Sequence, residues 1–177
     1  QNFLIDNNIL NKITNLIDSE KLEILEIGTG DGRVTDNILK KNPKNLDLIE
    51  IDKDLFSNLI NKYSNNKNVN IENEDILNFK INKQYDLIIS NLPYNVSSQV
   101  LVQLSTLIKK PKNMILMFLN EFASRLLDIN LNSINALVNC FYDVKLRFNV
   151  SKNCFRPIPK VNSSILTFVK KEKFLLK

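Results

Sequence analysis

The sequence contains no histidine and no tryptophan, and only three glycines and two cysteines among its 177 residues. Without an imidazole, Ser-His-Asp hydrolysis, Cys-His nucleophiles and most zinc or non-haem iron sites are excluded, and no metal site is expected. Cys140 and Cys154 form no C-x-x-C pair, so they read as inert thiols of a reducing compartment, not as a disulfide framework. The longest uninterrupted apolar stretch, Met114–Leu119, has six residues; a membrane span needs about 20. No secretory signal opens the chain, and a cytoplasmic protein is expected.

A chain of this length supports one hydrophobic core, hence a single domain. Its charge is segregated. Residues 151–177 carry seven Lys/Arg against Glu172 alone, a net of +6, whereas residues 1–150 carry 17 positive and 18 negative side chains. Such a basic end suits a polyanionic partner, and it is also what a lysine-rich solvated tail looks like.

Average usage would place about 12 glycines in such a chain. The three that are present, Gly28, Gly30 and Gly32, stand at alternate positions of Glu26-Ile27-Gly28-Thr29-Gly30-Asp31-Gly32. Asn is abundant and tolerates the left-handed backbone region, so it can serve ordinary turns in place of Gly. Glycine retained here marks a loop in which a side chain would collide with a neighbour.

Ile5, Ile9, Leu10, Ile13, Leu16 and Ile17 recur at helical spacing and predict an opening helix over 5–17. Short apolar runs predict five strands, at 22–27, 46–51, 69–72, 85–90 and 113–119. Helical spacing predicts helices through Val34, Ile38 and Leu39, closed by Pro43, and over 54–63, 97–109, 120–127 and 133–141. Alternation in 143–150 and 163–170 predicts an antiparallel pair. Strands and helices alternating at this spacing define an α/β fold, a doubly wound, mostly parallel seven-stranded sheet, in which ligands bind at the carboxyl ends of the strands.

The glycine loop follows the first of these strands and opens a helix. A bare G-x-G is shared by dinucleotide enzymes and ordinary turns, but two neighbours sharpen it. Glu50-Ile51-Asp52 ends the second strand about 20 residues on, where a carboxylate accepts ribose hydroxyls. Asn73-Glu74-Asp75-Ile76 follows the third strand, where Asp75 is placed to take an adenine amine. Glu26 and Asp31 stand where a pyrophosphate would lie, and two carboxylates repel phosphate. The loop therefore suits a cationic, phosphate-free ligand such as S-adenosylmethionine. Taken singly, Glu50 or Asp75 reads rather as a helix cap or a solvated charge; the cofactor reading rests on their combination with the glycine loop.

Asn91-Leu92-Pro93-Tyr94 ends the fourth strand. The Asn91 amide oxygen and the Leu92 carbonyl can accept the two hydrogens of a planar amine, turning its lone pair toward a methyl donor. Pro93 fixes the backbone, and Tyr94 offers a face for base stacking, worth about 1–3 kcal/mol. A sulfonium leaves as a neutral thioether, so no general base is required. The alternative reading is a proline turn after a strand.

In combination, Gln1-Asn2-Phe3-Leu4, EIGTGDG, IEID, NEDIL, NLPYNVSS, Asn120–Leu126 and CFRPIPKVNSSI resemble the KsgA-type rRNA adenine dimethyltransferase family. That family also holds the erythromycin-resistance methylases and a mitochondrial transcription-factor branch. The likeness runs from the first residue to about Val169. It implies a class I, Rossmann-like methyltransferase that uses S-adenosylmethionine to dimethylate adenines near the 3′ end of small-subunit rRNA during ribosome biogenesis. The alternatives are a resistance-type methylase of large-subunit rRNA and a non-catalytic nucleic-acid-binding factor.

The resemblance places Asn2 and Leu4 at the methionine end of the cofactor, Gly28 and Gly30 in its close-approach loop, and Glu50 on the ribose. Asp75 and Ile76 fall at the adenine, and Asn91 bridges cofactor and target. Phe155 resembles the aromatic that packs on the flipped target base opposite Tyr94; its other reading is core packing. Arg156 and Lys160 would hold RNA phosphates. The expected partner is rRNA within an immature small subunit, bound by a monomer. The chain departs from the family at Ser133-Ile134-Asn135-Ala136-Leu137, where a Gly-Arg pair is usual. It also stops at Lys177, before the family's small C-terminal helical domain, so a single methyltransferase domain over 1–177 is expected.

Overall fold

The computed structural model describes residues 2–174. In chain order the elements are β1 (Phe3–Leu4), α1 (Asn7–Asn15), β2 (Glu23–Ile27), α2 (Arg33–Leu39), β3 (Asn45–Ile49), α3 (Lys53–Tyr63), β4 (Val69–Glu72) and β5 (Leu87–Asn91). They continue with α4 (Ser97–Thr106), β6 (Asn113–Leu119), α5 (Asn120–Leu127), α6 (Ser133–Phe141), β7 (Tyr142–Val150), β8 (Phe155–Arg156) and β9 (Ser163–Lys170).

Seven strands form one sheet in the order β4-β3-β2-β5-β6-β9-β7. β4, β3, β2, β5 and β6 are parallel; β9 pairs antiparallel with β6, and β7 antiparallel with β9. The chain winds outward from β2 through β3 to β4, then returns to build from β5 on the other side. The reversal puts a crevice beyond the carboxyl ends of β2 and β5.

The central strands read as unbroken apolar runs because both faces of the sheet are covered. Successive side chains point to opposite faces. Thus Leu25, Ile88, Met114 and Phe118 join one buried cluster, whereas Ile24, Ile89, Ile115 and Met117 join the other. Leu104 of α4 and Leu126 of α5 pack in the first; Ile13 of α1, Ile38 of α2 and Leu59 of α3 pack in the second.

Local polar groups fix the element ends. The Asp6 carboxylate accepts from the amides of Asn8 and Ile9, so α1 starts at Asn7, later than hydrophobic spacing alone suggests. Asp52 caps α3 in the same way, which makes the second acid of Glu50-Ile51-Asp52 a structural residue. α4 ends at Thr106, short of the expected 109.

One pairing escaped the sequence reading. β1 and β8 form a two-stranded antiparallel ladder, Phe3 opposite Arg156 and Leu4 opposite Phe155, extended by the Ile5 amide donating to the Cys154 carbonyl at 2.9 Å. Two-residue strands carry no periodicity, so hydrophobic patterning does not find them.

The three glycines are needed mainly for their backbone angles, with φ of 69° at Gly28, 64° at Gly30 and 81° at Gly32. The expected collision is confined to Gly32, where a Cβ would lie 2.5 Å from the Tyr63 hydroxyl; at Gly28 it would sit in ordinary contact with the Asn91 carbonyl at 3.7 Å. Gly32→Ala should therefore cost about 1–3 kcal/mol in urea unfolding. Combined with Tyr63→Phe, which removes the clashing oxygen, the loss should be smaller than the sum of the two single losses. Strict additivity would contradict a steric role for that hydroxyl.

Candidate active site

The crevice has two lobes that share Asn2, Gly28 and Asn91. The inner lobe is lined by Ile89, Ile115, Met117 and Ile165 together with Glu26, Thr29 and Gly30. The outer lobe is lined by Glu50, Ile51, Leu92, Pro93 and Tyr94. Each lining group is placed by an element end: Gly28 to Gly30 by β2, Glu50 by β3 and Asn91 by β5. Asn2 is held there by the β1–β8 ladder, and Leu4 lies buried beneath it.

Glu50 organises the loop. It is 1% exposed, and its carboxylate accepts from the Gly30 amide at 2.7 Å and from the Asp52 amide at 3.0 Å. The Gly28 amide donates to the Ile49 carbonyl at 2.9 Å, and the Ser90 hydroxyl to the Ile27 carbonyl at 2.7 Å, so β2 is tied to both neighbours at the crevice edge. The buried Thr29 hydroxyl has no partner among the described residues, although it lines the inner lobe. A buried orphan hydroxyl beside a cavity is what a polar ligand would satisfy. Sequence reasoning passed over Thr29, although it sits inside the glycine motif that reasoning singled out.

Glu26 behaves differently from expectation. Burial pushes its carboxyl up to about 8; the charges of Asp36 and Glu50 push the same way, and the Thr35 hydroxyl, donating at 2.7 Å, pulls back. Asp31 is paired with Arg33 at 2.7 Å. The expectation of two free carboxylates is thus corrected: burial favours the protonated form of Glu26, and Asp31 is paired with Arg33.

The Asn73 side chain donates to the carbonyls of Glu50 and Ile51, fastening the Asp75 loop to the end of β3. Asp75 is half-buried and accepts from the Leu77 amide at 2.9 Å, while Ile76 is buried in the core beside Tyr85; neither is among the residues lining the two lobes.

Tyr94 is half-buried with its hydroxyl 3.2 Å from that of Ser163. Phe155 is 0% exposed and packs with Leu4, Val150 and Ile165. Stacking on a target base is therefore corrected to core packing: a side chain with no exposed face offers none to a ligand. The Arg156 guanidinium turns back onto the carbonyls of Asn153 and Phe155, and Lys160 is exposed. Both cysteines are free thiols. Among the described residues no helix is long and apolar enough to cross a membrane.

A seven-stranded sheet with β9 inserted antiparallel, and a crevice over the glycine loop, defines a class I methyltransferase fold. Similar solved structures include a dimethyladenosine transferase from Plasmodium falciparum, 30% identical with a TM-score of 0.88 over 96% of this chain and 64% of that one. The 23S rRNA methyltransferase ErmE, at 23% identity and a TM-score of 0.87 over 99% of this chain and 72% of that one, shares the fold. The ribosomal RNA adenine dimethylase family model matches residues 1–176, and the chain belongs to that family. Relatives named ribosomal RNA small subunit methyltransferase A are 38% identical in Mycoplasmopsis pulmonis, over 97% of this chain and 69% of that protein, and 36% identical in Pelagibacter ubique, over 98% and 70%. The chain thus spans about two thirds of the length of these proteins.

The Glu26 environment gives a pH signature. A carboxyl whose pKa rises from 4.5 to about 8 on folding binds its proton more tightly in the folded chain. That contribution is fully present below 4.5 and is lost as the pH climbs through about 8. Unfolding free energy should fall by up to about 1.4 kcal/mol per pH unit between about pH 5 and 8. With no histidine to titrate there, Glu26→Gln should flatten the slope; an unchanged slope in that variant would contradict the assignment.

Proposed function

We propose that the chain binds S-adenosylmethionine in the crevice and dimethylates the exocyclic amine of adenines near the 3′ end of small-subunit rRNA. The observation that carries this reading is the position of Asn91, which lines both lobes and faces the glycine loop on one side and Leu92-Pro93-Tyr94 on the other. The partnerless Thr29 hydroxyl and the Glu50 carboxylate supply polar groups that fit the cofactor. A magnesium protoporphyrin IX methyltransferase from Synechocystis, similar in fold at 12% identity and a TM-score of 0.66, was solved with this cofactor bound.

In this reading Glu50 would hold the ribose, Asp75 the adenine of the cofactor, and Asn2 and Leu4 the methionine end. The cofactor supplies a methyl group on a positively charged sulfur. The Asn91 amide oxygen and the Leu92 carbonyl accept the two hydrogens of the target amine, which holds the nitrogen lone pair toward the inner lobe. Pro93 keeps that carbonyl in place, and Tyr94 supplies a stacking face for the target base. Rate enhancement rests on positioning and on polar groups fixed before the reaction. Lys160 and Arg156 lie on the basic end, where phosphates would be held, and the enzyme acts as a monomer on an immature subunit in the cytoplasm.

Incubation with labelled methyl donor and unmethylated ribosomal subunits of both kinds tests this. Label should appear as dimethyladenine in small-subunit rRNA, and Asn91→Ala should lose about a hundredfold or more in turnover with cofactor affinity largely kept. Label confined to the large subunit, or unchanged turnover in the variant, would contradict it.

A further inference from the structure

Tyr94 belongs to two surfaces: the outer lobe of the crevice, and a separate groove between α4 and the α5–α6 pair. This groove has a mixed chemistry. Phe122 and Ile134 give it an apolar floor, Ser98 and Val102 of α4 form one wall, and Glu121 and Arg125 of α5 stand on the other. The Phe122 ring is held at 5.0 Å from that of Phe118, which anchors it to the core. Arg125 is exposed, and its guanidinium makes no hydrogen bond or ion pair with the described residues. Glu121 and Leu119 continue into a further groove that carries Lys152 and Lys160, both exposed and both without an ion pair among the described residues. Apart from Tyr94, none of these residues belongs to the cofactor site or to the four residues that present the target amine.

We infer that this groove seats the base of a nucleotide adjacent to the target adenine, with the intervening phosphate at Arg125 and the onward strand led toward Lys152 and Lys160. This deepens the reading of the protein as an RNA adenine methyltransferase and rests on it. A base flipped into the outer lobe against Tyr94 carries its neighbour directly to the groove, because Tyr94 forms the boundary of both. An aromatic floor takes the face of any base, whereas a cation at the rim takes phosphate. The Glu121 carboxylate would repel a phosphate, so within the groove it suits the amine or imino edge of the base. Protein partners of this surface would have no reason to run from the catalytic motif toward a pair of unpaired lysines; a polyanionic strand does.

Short single-stranded RNAs containing the target adenine, used as inhibitors of methyl transfer to small subunits, test the assignment. Replacing the base on one side of the target by an abasic nucleotide should raise the inhibition constant of the wild-type protein about tenfold, as expected for loss of one stacked base. Val102→Trp, which fills the groove from the exposed face of α4, should make intact and abasic RNAs equivalent. Arg125→Ala should weaken all the RNAs alike and lower the salt dependence, with cofactor binding unchanged as the control for folding. Wild-type protein that methylates subunits yet shows equal constants for abasic and intact RNAs on both sides, or no inhibition by any of them, overturns the groove assignment alone. Failure of the wild-type protein to methylate either subunit would instead overturn the reading beneath it.

Discussion

The site depends on one buried carboxylate. Glu50, at the end of β3, accepts from the Gly30 amide in the loop after β2 and from the Asp52 amide at the start of α3, which fixes two strand ends and a helix with a single side chain. A carboxylate removed from water costs several kcal/mol unless its lone pairs are used; charge-assisted bonds from backbone amides offset that cost. Because the amides come from different elements, the same bonds set the mouth of the crevice. The left-handed angles at Gly28, Gly30 and Gly32 let the loop turn so that Gly30 meets the carboxylate. Asn73 then fastens the next loop to the Glu50 carbonyl, so the loops after β2 and β4 are both tied to the end of β3.

On this frame the chemistry divides between strands. β2 and β3 hold one side of the crevice, and β5 delivers Asn91 to the other, joined to β2 by the Ser90 hydroxyl and by direct pairing. β9, inserted antiparallel beside β6, brings Ser163 to the Tyr94 hydroxyl and so couples the turn after β5 to the basic end of the chain. A protein without histidine is suited to this arrangement, since positioning a neutral amine against an electrophilic methyl group requires acceptors and shape, not a proton shuttle.

Much of this was legible in the sequence. The apolar runs at β2, β3, β5 and β6 announced strands buried on both faces, and β4 was read to the residue. The glycine motif, Glu50 and Asn91 all fall at strand ends, where a doubly wound sheet gathers its ligands. What escaped has physical reasons. β1 and β8 are two residues long, so no period marks them, yet their pairing places Asn2. Phe155 sits in a motif that reads as functional, and only packing shows that its ring is enclosed by Leu4, Val150 and Ile165. The raised pKa of Glu26 follows from burial near two other acids, which spacing along the chain does not reveal. The groove beyond Tyr94 is assembled from α4, α5 and α6, three helices whose polar residues look like ordinary solvated faces when each is taken alone.

The central claim is that the Glu50 carboxylate holds the mouth of the crevice in the shape that receives S-adenosylmethionine. Calorimetric titration of that compound into the wild-type chain and into Glu50→Gln tests it most directly, because the amide keeps the volume and removes the charge. The account predicts tenfold or greater weakening, equivalent to about 1.4 kcal/mol or more, in a variant that still unfolds cooperatively. Equal affinity in the two proteins would contradict it.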